Sequence, residues 1–137
     1  INDGMGRFVA SELVKAMLDR CIQVNGARVL VMGLTFKENC PDLRNTRVID
    51  VIRELQDYNV TVDVYDPWIN PDEAYREYGI QPIEKPQVAS YDGIVLAVAH
   101  NEFKAMHASE IRELGRDTHV LYDLKYVLPK EAVDLRL

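Results

Sequence analysis

Met5, Val9, Leu13 and Met17 fall four residues apart, the repeat of one face of an α-helix. Val14, Leu18, Cys21 and Ile22 add a second apolar face. The pattern predicts a helix over residues 3–24, capped by Asp3, with two partners to cover it. The nearly continuous apolar run 27–33 reads as a strand buried on both sides. Val48, Ile49, Ile52 and Leu55 then make one stripe of a helix over residues 46–58, with Asn45 or Thr46 as its cap. Residues 60–66 alternate like a strand and stop at Asp66-Pro67. Pro71 at a first helical position and Gly79 past a last one bracket a short helix. Ile94 to Ala99 reads as a third buried strand, followed by a polar turn at His100-Asn101-Glu102. Ser109 to Leu114 forms a helix, Val120 to Leu124 a fourth strand, and Pro129 to Leu135 a short terminal helix.

This alternation predicts an α/β fold: a Rossmann-like parallel sheet with helices on both faces, preceded by a long linker helix. At 137 residues the chain suits one domain with a real core. Its longest apolar run, Gly93 to Ala99, is far shorter than the roughly 20 residues that span a bilayer. No charged segment followed by an apolar one stands at the start, so no signal peptide is expected. The chain opens on Ile1 rather than Met, as a piece of a longer protein would. A net charge of −6 argues against general affinity for nucleic acid or anionic membranes. Cys21 and Cys40 make neither a metal spacing nor a disulfide framework, and a reducing, cytoplasmic setting follows.

The candidate chemistry lies in residues 33–47, after the first buried strand. Ligands of open α/β sheets bind at the carboxyl ends of strands, where this loop places Phe36, Lys37, Arg44 and Arg47. A dinucleotide cradle needs glycines so that backbone can approach a pyrophosphate. Here Gly33 stands alone and twelve residues separate it from the next helix. Asp66 imitates a ribose-binding acid, but its position before Pro67 favours a turn-forming role. The loop's specificity must come from side chains. A solvated loop whose cations offset Glu38 and Asp42 fits the composition equally well. Cys40 has cations nearby but no His in the loop to activate it, and Pro41 suggests a structural turn. His100, His107 and His119 lack metal spacing; His100 follows a buried strand, where it could line the pocket, but turn formation with Asn101 is favoured.

The segment from Gly33 to Val48, GLTFKENCPDLRNTRV, resembles the UDP-glucose/GDP-mannose dehydrogenase family. So do VYDP at Val64 to Pro67 and YDLKYVL at Tyr122 to Leu128, while INDGMG at Ile1 to Gly6 resembles the family's central linker helix. The version Phe36 to Asn45 looks most like the branch that oxidises UDP-N-acetylhexosamines to uronic acids for surface polysaccharides. The resemblance implies that residues 1–25 end a linker and dimerisation helix and residues 26–137 form a UDP-sugar-binding domain. It implies a two-step, NAD-dependent oxidation of the sugar C6 alcohol, with NAD held mainly by an N-terminal domain of the same protein. No residue here matches the family's nucleophilic Cys segment, so no catalytic residue is assigned. Phe36, Lys37 and Lys125 would contact the UDP-sugar, and Arg44 would reach towards NAD. Many relatives carry Arg where Lys125 stands, and Lys lacks the bidentate fork of Arg. A homodimer through the linker helix is also implied. The alternative is a non-catalytic α/β nucleotide-binding or regulatory module. A receiver domain would carry clustered acids after its first strand, where this loop is basic.

Overall fold

The computed structural model describes residues 4–137, so the expected cap at Asp3 lies outside the described residues. Helix α1 (Met5–Asp19) leads into strand β1 (Arg28–Met32), helix α2 (Val48–Asp57), strand β2 (Thr61–Tyr65) and helix α3 (Pro71–Tyr78). Strand β3 (Tyr91–Leu96), helices α4 (Asn101–Lys104) and α5 (Ala108–Arg112), strand β4 (Gly115–Asp123) and strand β5 (Leu135–Arg136) complete it. The sheet order is β2-β1-β3-β4-β5 and each pairing is parallel.

The expected double coverage is visible residue by residue along β1. Val29 and Val31 point into a core shared with Val9, Leu13 and Met17 of α1 and Ile52 and Leu55 of α2. Leu30 and Met32 point to the other side, against Phe103 of α4 and Ile111 of α5. At Gly6 the α1 and α2 backbones meet: a Cβ there would lie 2.6 Å from Asp50 Cβ and 2.8 Å from its carbonyl carbon.

Several boundaries depart from the pattern, among them β3, three residues earlier than expected, and β4, which begins at Gly115 rather than Val120. The first helix stops at Asp19 rather than continuing to residue 24, because Cys21 turns left-handed at φ 62°. The Cys21 and Ile22 N–H groups then bond back to the Leu18 and Met17 carbonyls, and Ile22 folds into the core. The polar turn at residues 100–102 winds on into α4, since Phe103 is buried among Leu30, Met32 and Leu96. The terminal helix expected at 129–135 is a single 3-10 turn, Lys130–Ala132, followed by β5. Pairing of Leu135 with Tyr122 and Arg136 with Asp123 outweighs local preference in so short a segment.

After β1 the chain crosses to β2 on one side and then to β3 on the other. A crevice therefore opens beyond the carboxyl ends of β1 and β3, where the polypeptide diverges.

Candidate functional site

A cavity of about 440 Å³ occupies this crevice. Thr35, Phe36, Lys37 and Glu38 after β1 form one wall, and Leu124 and Lys125 after β4 form the opposite one. Ala97, Val98 and Ala99 after β3 line the strand end, while Met5 and Val9 of α1 and Val48 and Val51 of α2 supply an apolar side. Thus the structure brings Phe36, Lys37 and Lys125 to one cavity. Arg44, the fourth residue singled out, lies outside the lining. Its side chain is 79% exposed and bonds Asp42 in fork fashion, Nε to Oδ1 at 3.1 Å and Nη2 to Oδ2 at 3.3 Å. That guanidinium holds the Asp42 carboxyl below its ordinary range.

Arg47, noted in the basic cluster but given no role, lines the cavity with an Nη1–Oδ2 distance of 3.6 Å to Asp50. Its place just before α2 was the available signal. Lys37 and Lys125 take part in no ion pair among the described residues. The cavity thus presents two lysines outside any ion pair among the described residues, with Glu38 as the carboxylate side chain in its lining, beside an apolar surface and an exposed phenyl ring, Phe36 at 56%. That combination suits an anionic ligand with a flat, poorly hydrated portion.

Each wall is held from beneath by a buried aspartate at the end of a strand. Asp123 Oδ1 accepts the N–H groups of Lys125 and Val127, both at 3.1 Å, and its Oδ2 accepts that of Leu128 at 2.8 Å. Asp66 Oδ2 accepts the N–H groups of Leu34 at 2.7 Å and Thr35 at 3.2 Å, and its Oδ1 that of Trp68 at 2.8 Å. Burial pushes the Asp66 carboxyl up, but His100 and these backbone donors outweigh it and hold the group below its ordinary range. Asp66 is a turn-former, as its sequence context favours, and also the anchor of the loop after β1.

This arrangement decides against a dinucleotide cradle within this chain. In such a cradle the free N–H groups after the first strand meet a pyrophosphate. Here Leu34 and Thr35 donate to Asp66 instead. Gly33 serves packing: it sits at φ 104°, and a Cβ would fall 2.6 Å from Val98 Cβ. The chain's own residues at this edge do not fit NAD.

His100 proved more than a turn residue. It is fully buried, and its Nδ1 accepts the Asn39 N–H at 2.9 Å. Its Nε2 lies 3.0 Å from Asp66 Oδ2 and 3.2 Å from Thr35 Oγ1, while the Thr35 hydroxyl donates to the Lys37 carbonyl. With Nδ1 accepting, the proton sits on Nε2 and the imidazole is neutral. Trp68 stacks on its face at 5.9 Å between centroids and donates from Nε1 to Glu102. Nothing in the sequence pairs these residues, whose partners lie 34 to 65 positions away.

The two cysteines are unpaired, Cys21 exposed and Cys40 half-buried, and neither lines the cavity. Among the described residues no helix is long and apolar enough to cross a membrane.

The profile of the UDP-glucose/GDP-mannose dehydrogenase family, UDP binding domain, matches residues 30–130. Over 137 residues the chain is 64% identical to a UDP-N-acetyl-D-glucosamine 6-dehydrogenase of Pseudomonas aeruginosa and 53% identical to one of Salmonella typhi. Each alignment covers 100% of this chain and 32% of the relative, so the chain spans about a third of their length. Among solved structures, a UDP-glucose dehydrogenase from Pyrobaculum islandicum superposes with a TM-score of 0.76 at 24% identity. That match covers 98% of this chain and 29% of the other. At such identity the likeness speaks for the fold alone.

Proposed function

The chain belongs to the UDP-glucose/GDP-mannose dehydrogenase family as its UDP-binding domain, and from that premise we propose that it forms one wall of the substrate cleft of an NAD-dependent UDP-sugar 6-dehydrogenase. The observation that carries the reading is the convergence of Phe36, Lys37 and Lys125 on one cavity at the strand ends. Lys37, Lys125 and Arg47 suit the diphosphate, and Phe36 with the apolar side suits the uracil ring. The two relatives above half identity favour UDP-N-acetylglucosamine as the sugar nucleotide.

The complete protein would oxidise the sugar C6 alcohol to a carboxylate in two steps, reducing two NAD. NAD and the nucleophile would be supplied by a part of the protein outside this chain. Arg44, exposed and bonded to Asp42, would leave that carboxylate and contact a cofactor held outside this chain. Exposed Met5 and Phe8 on α1 support pairing of two copies along that helix. A reducing cytoplasm suits the two unpaired thiols.

The test is an assay of the complete protein with UDP-N-acetylglucosamine, following NADH. Turnover in the parent, with kcat/KM reduced roughly 10- to 100-fold in Lys37→Ala, is the expected result for one lost charge-assisted contact. Parent-like kinetics in that variant would remove Lys37 from the substrate site.

A further inference from the structure

We propose that His100 is a positioning residue for the cavity: in its neutral form it fixes the segment Leu34 to Asn39 so that Phe36 and Lys37 face the ligand. The ligand's identity rests on the UDP reading above, whereas the holding geometry does not.

Phe36, Lys37 and Glu38 are exposed, so no packing from outside fixes them. The segment is tied down at its two ends. At one end the Leu34 and Thr35 N–H groups sit on Asp66. At the other, the Asn39 N–H sits on His100 Nδ1, while Asn39 Oδ1 accepts the Asn101 N–H at 2.9 Å. Asn39 is left-handed at φ 54°, a conformation that Asn adopts more readily than most residues and that aims its N–H at the ring. Between these ends the Thr35 hydroxyl holds the Lys37 carbonyl and meets His100 Nε2. His100 therefore touches Thr35 near one end of the segment and Asn39 at the other, and reaches its middle only through the Thr35 hydroxyl on the Lys37 carbonyl. It lies outside the cavity lining with both ring nitrogens engaged, so it acts on the ligand only through this loop.

The test exploits the separate chemistry of the two nitrogens. The Asn carboxamide oxygen can stand near Nδ1 and accept from Asn39, whereas Gln reaches the Nε2 position and donates to Asp66. His100→Asn, His100→Gln and His100→Leu would be compared with the parent chain by calorimetric titration of UDP, amide exchange at Asn39 and melting temperature. Expected are a protected Asn39 amide and near-parent affinity in His100→Asn. In His100→Gln the Asn39 amide should exchange faster and affinity fall about tenfold, the worth of one hydrogen bond. Should His100→Leu fail to fold, the Asn and Gln pair decides. Parent-like affinity in His100→Gln despite a fast-exchanging Asn39 would overturn the proposal. So would losses in both variants that merely track melting temperature. If the parent binds no UDP, the ligand reading fails, and Asn39 exchange alone decides the holding claim: equal protection in Asn and Gln variants overturns it.

Discussion

The Asp66 carboxylate accepts the Leu34 backbone N–H at 2.7 Å, across 32 residues of sequence, and so closes from within the strand end that a dinucleotide-binding domain leaves open for phosphate. The cavity beside it is left to recognise its ligand with side chains. Replacing Asp66 by Ala would strand the N–H groups of Leu34, Thr35 and Trp68 and the His100 Nε2–H in a dry site. A loss of about 3 kcal/mol in urea unfolding is expected from groups of this kind left without partners. A loss below about 1 kcal/mol, the net worth of a single ordinary hydrogen bond, would mean that the anchor is dispensable.

Acid should unfold the protein through a small set of carboxylates. Burial pushes Asp134 up, but Arg112, Arg20 and the Leu121 N–H outweigh it and hold the group well below the ordinary 3.8. Asp66 is depressed in the same sense. A carboxyl depressed in the folded state adds stability that is complete above its unfolded value and is lost as pH falls towards its folded one. Stability from these two groups should hold from neutrality down to about pH 4 and fall below it. Asp134→Asn should be less stable at neutral pH and show a shallower decline in acid. An unchanged acid limb in denaturant titrations would contradict this.

At Gly6 the helices α1 and α2 pack so closely that Asp50 backbone lies where a side chain would be. Because helix backbone cannot yield like the end of a flexible side chain, Gly6→Ala should cost about 1–3 kcal/mol, as overpacked sites do. Denaturant midpoints check it. The same shift should disturb Met5 and Val9 at the cavity, weakening UDP binding as well.

Arg44 and Lys37 come from one loop but should behave differently in this chain. Arg44→Ala removes a side chain that faces solvent and Asp42, and UDP affinity should stay within a factor of about two, the scatter of ordinary surface substitutions. Lys37→Ala should lower it roughly tenfold or more, as loss of a charge-assisted contact does. In the complete protein Arg44→Ala is expected instead to raise the KM for NAD. Titration calorimetry and steady-state kinetics separate the two roles.

What the sequence made legible was what depends on neighbours in the chain. The buried strands announced themselves because both faces of β1 and β3 demand apolar residues, and the loop's cations marked the ligand edge. Features decided by distant partners stayed hidden. Cys21 stops α1 without a glycine because Ile22 has a core to enter. Strand β5 is two residues long and exists through its ladder with β4, so it carries no pattern of its own. His100 looked like a turn residue because its meaning lies in Asp66, Thr35 and Asn39. Arg44 kept its promise of charge but spends it on Asp42, two residues away.

The most direct test of the account is a titration of UDP into the isotopically labelled chain, read as shifts of assigned backbone amides. The account predicts saturable shifts concentrated at Phe36, Lys37, Arg47, Val98 and Lys125, with Arg44 little affected. Shifts confined elsewhere, such as the α3 surface around Asp72 and Arg76, or none at millimolar UDP where about 4 kcal/mol of binding would register, would contradict it.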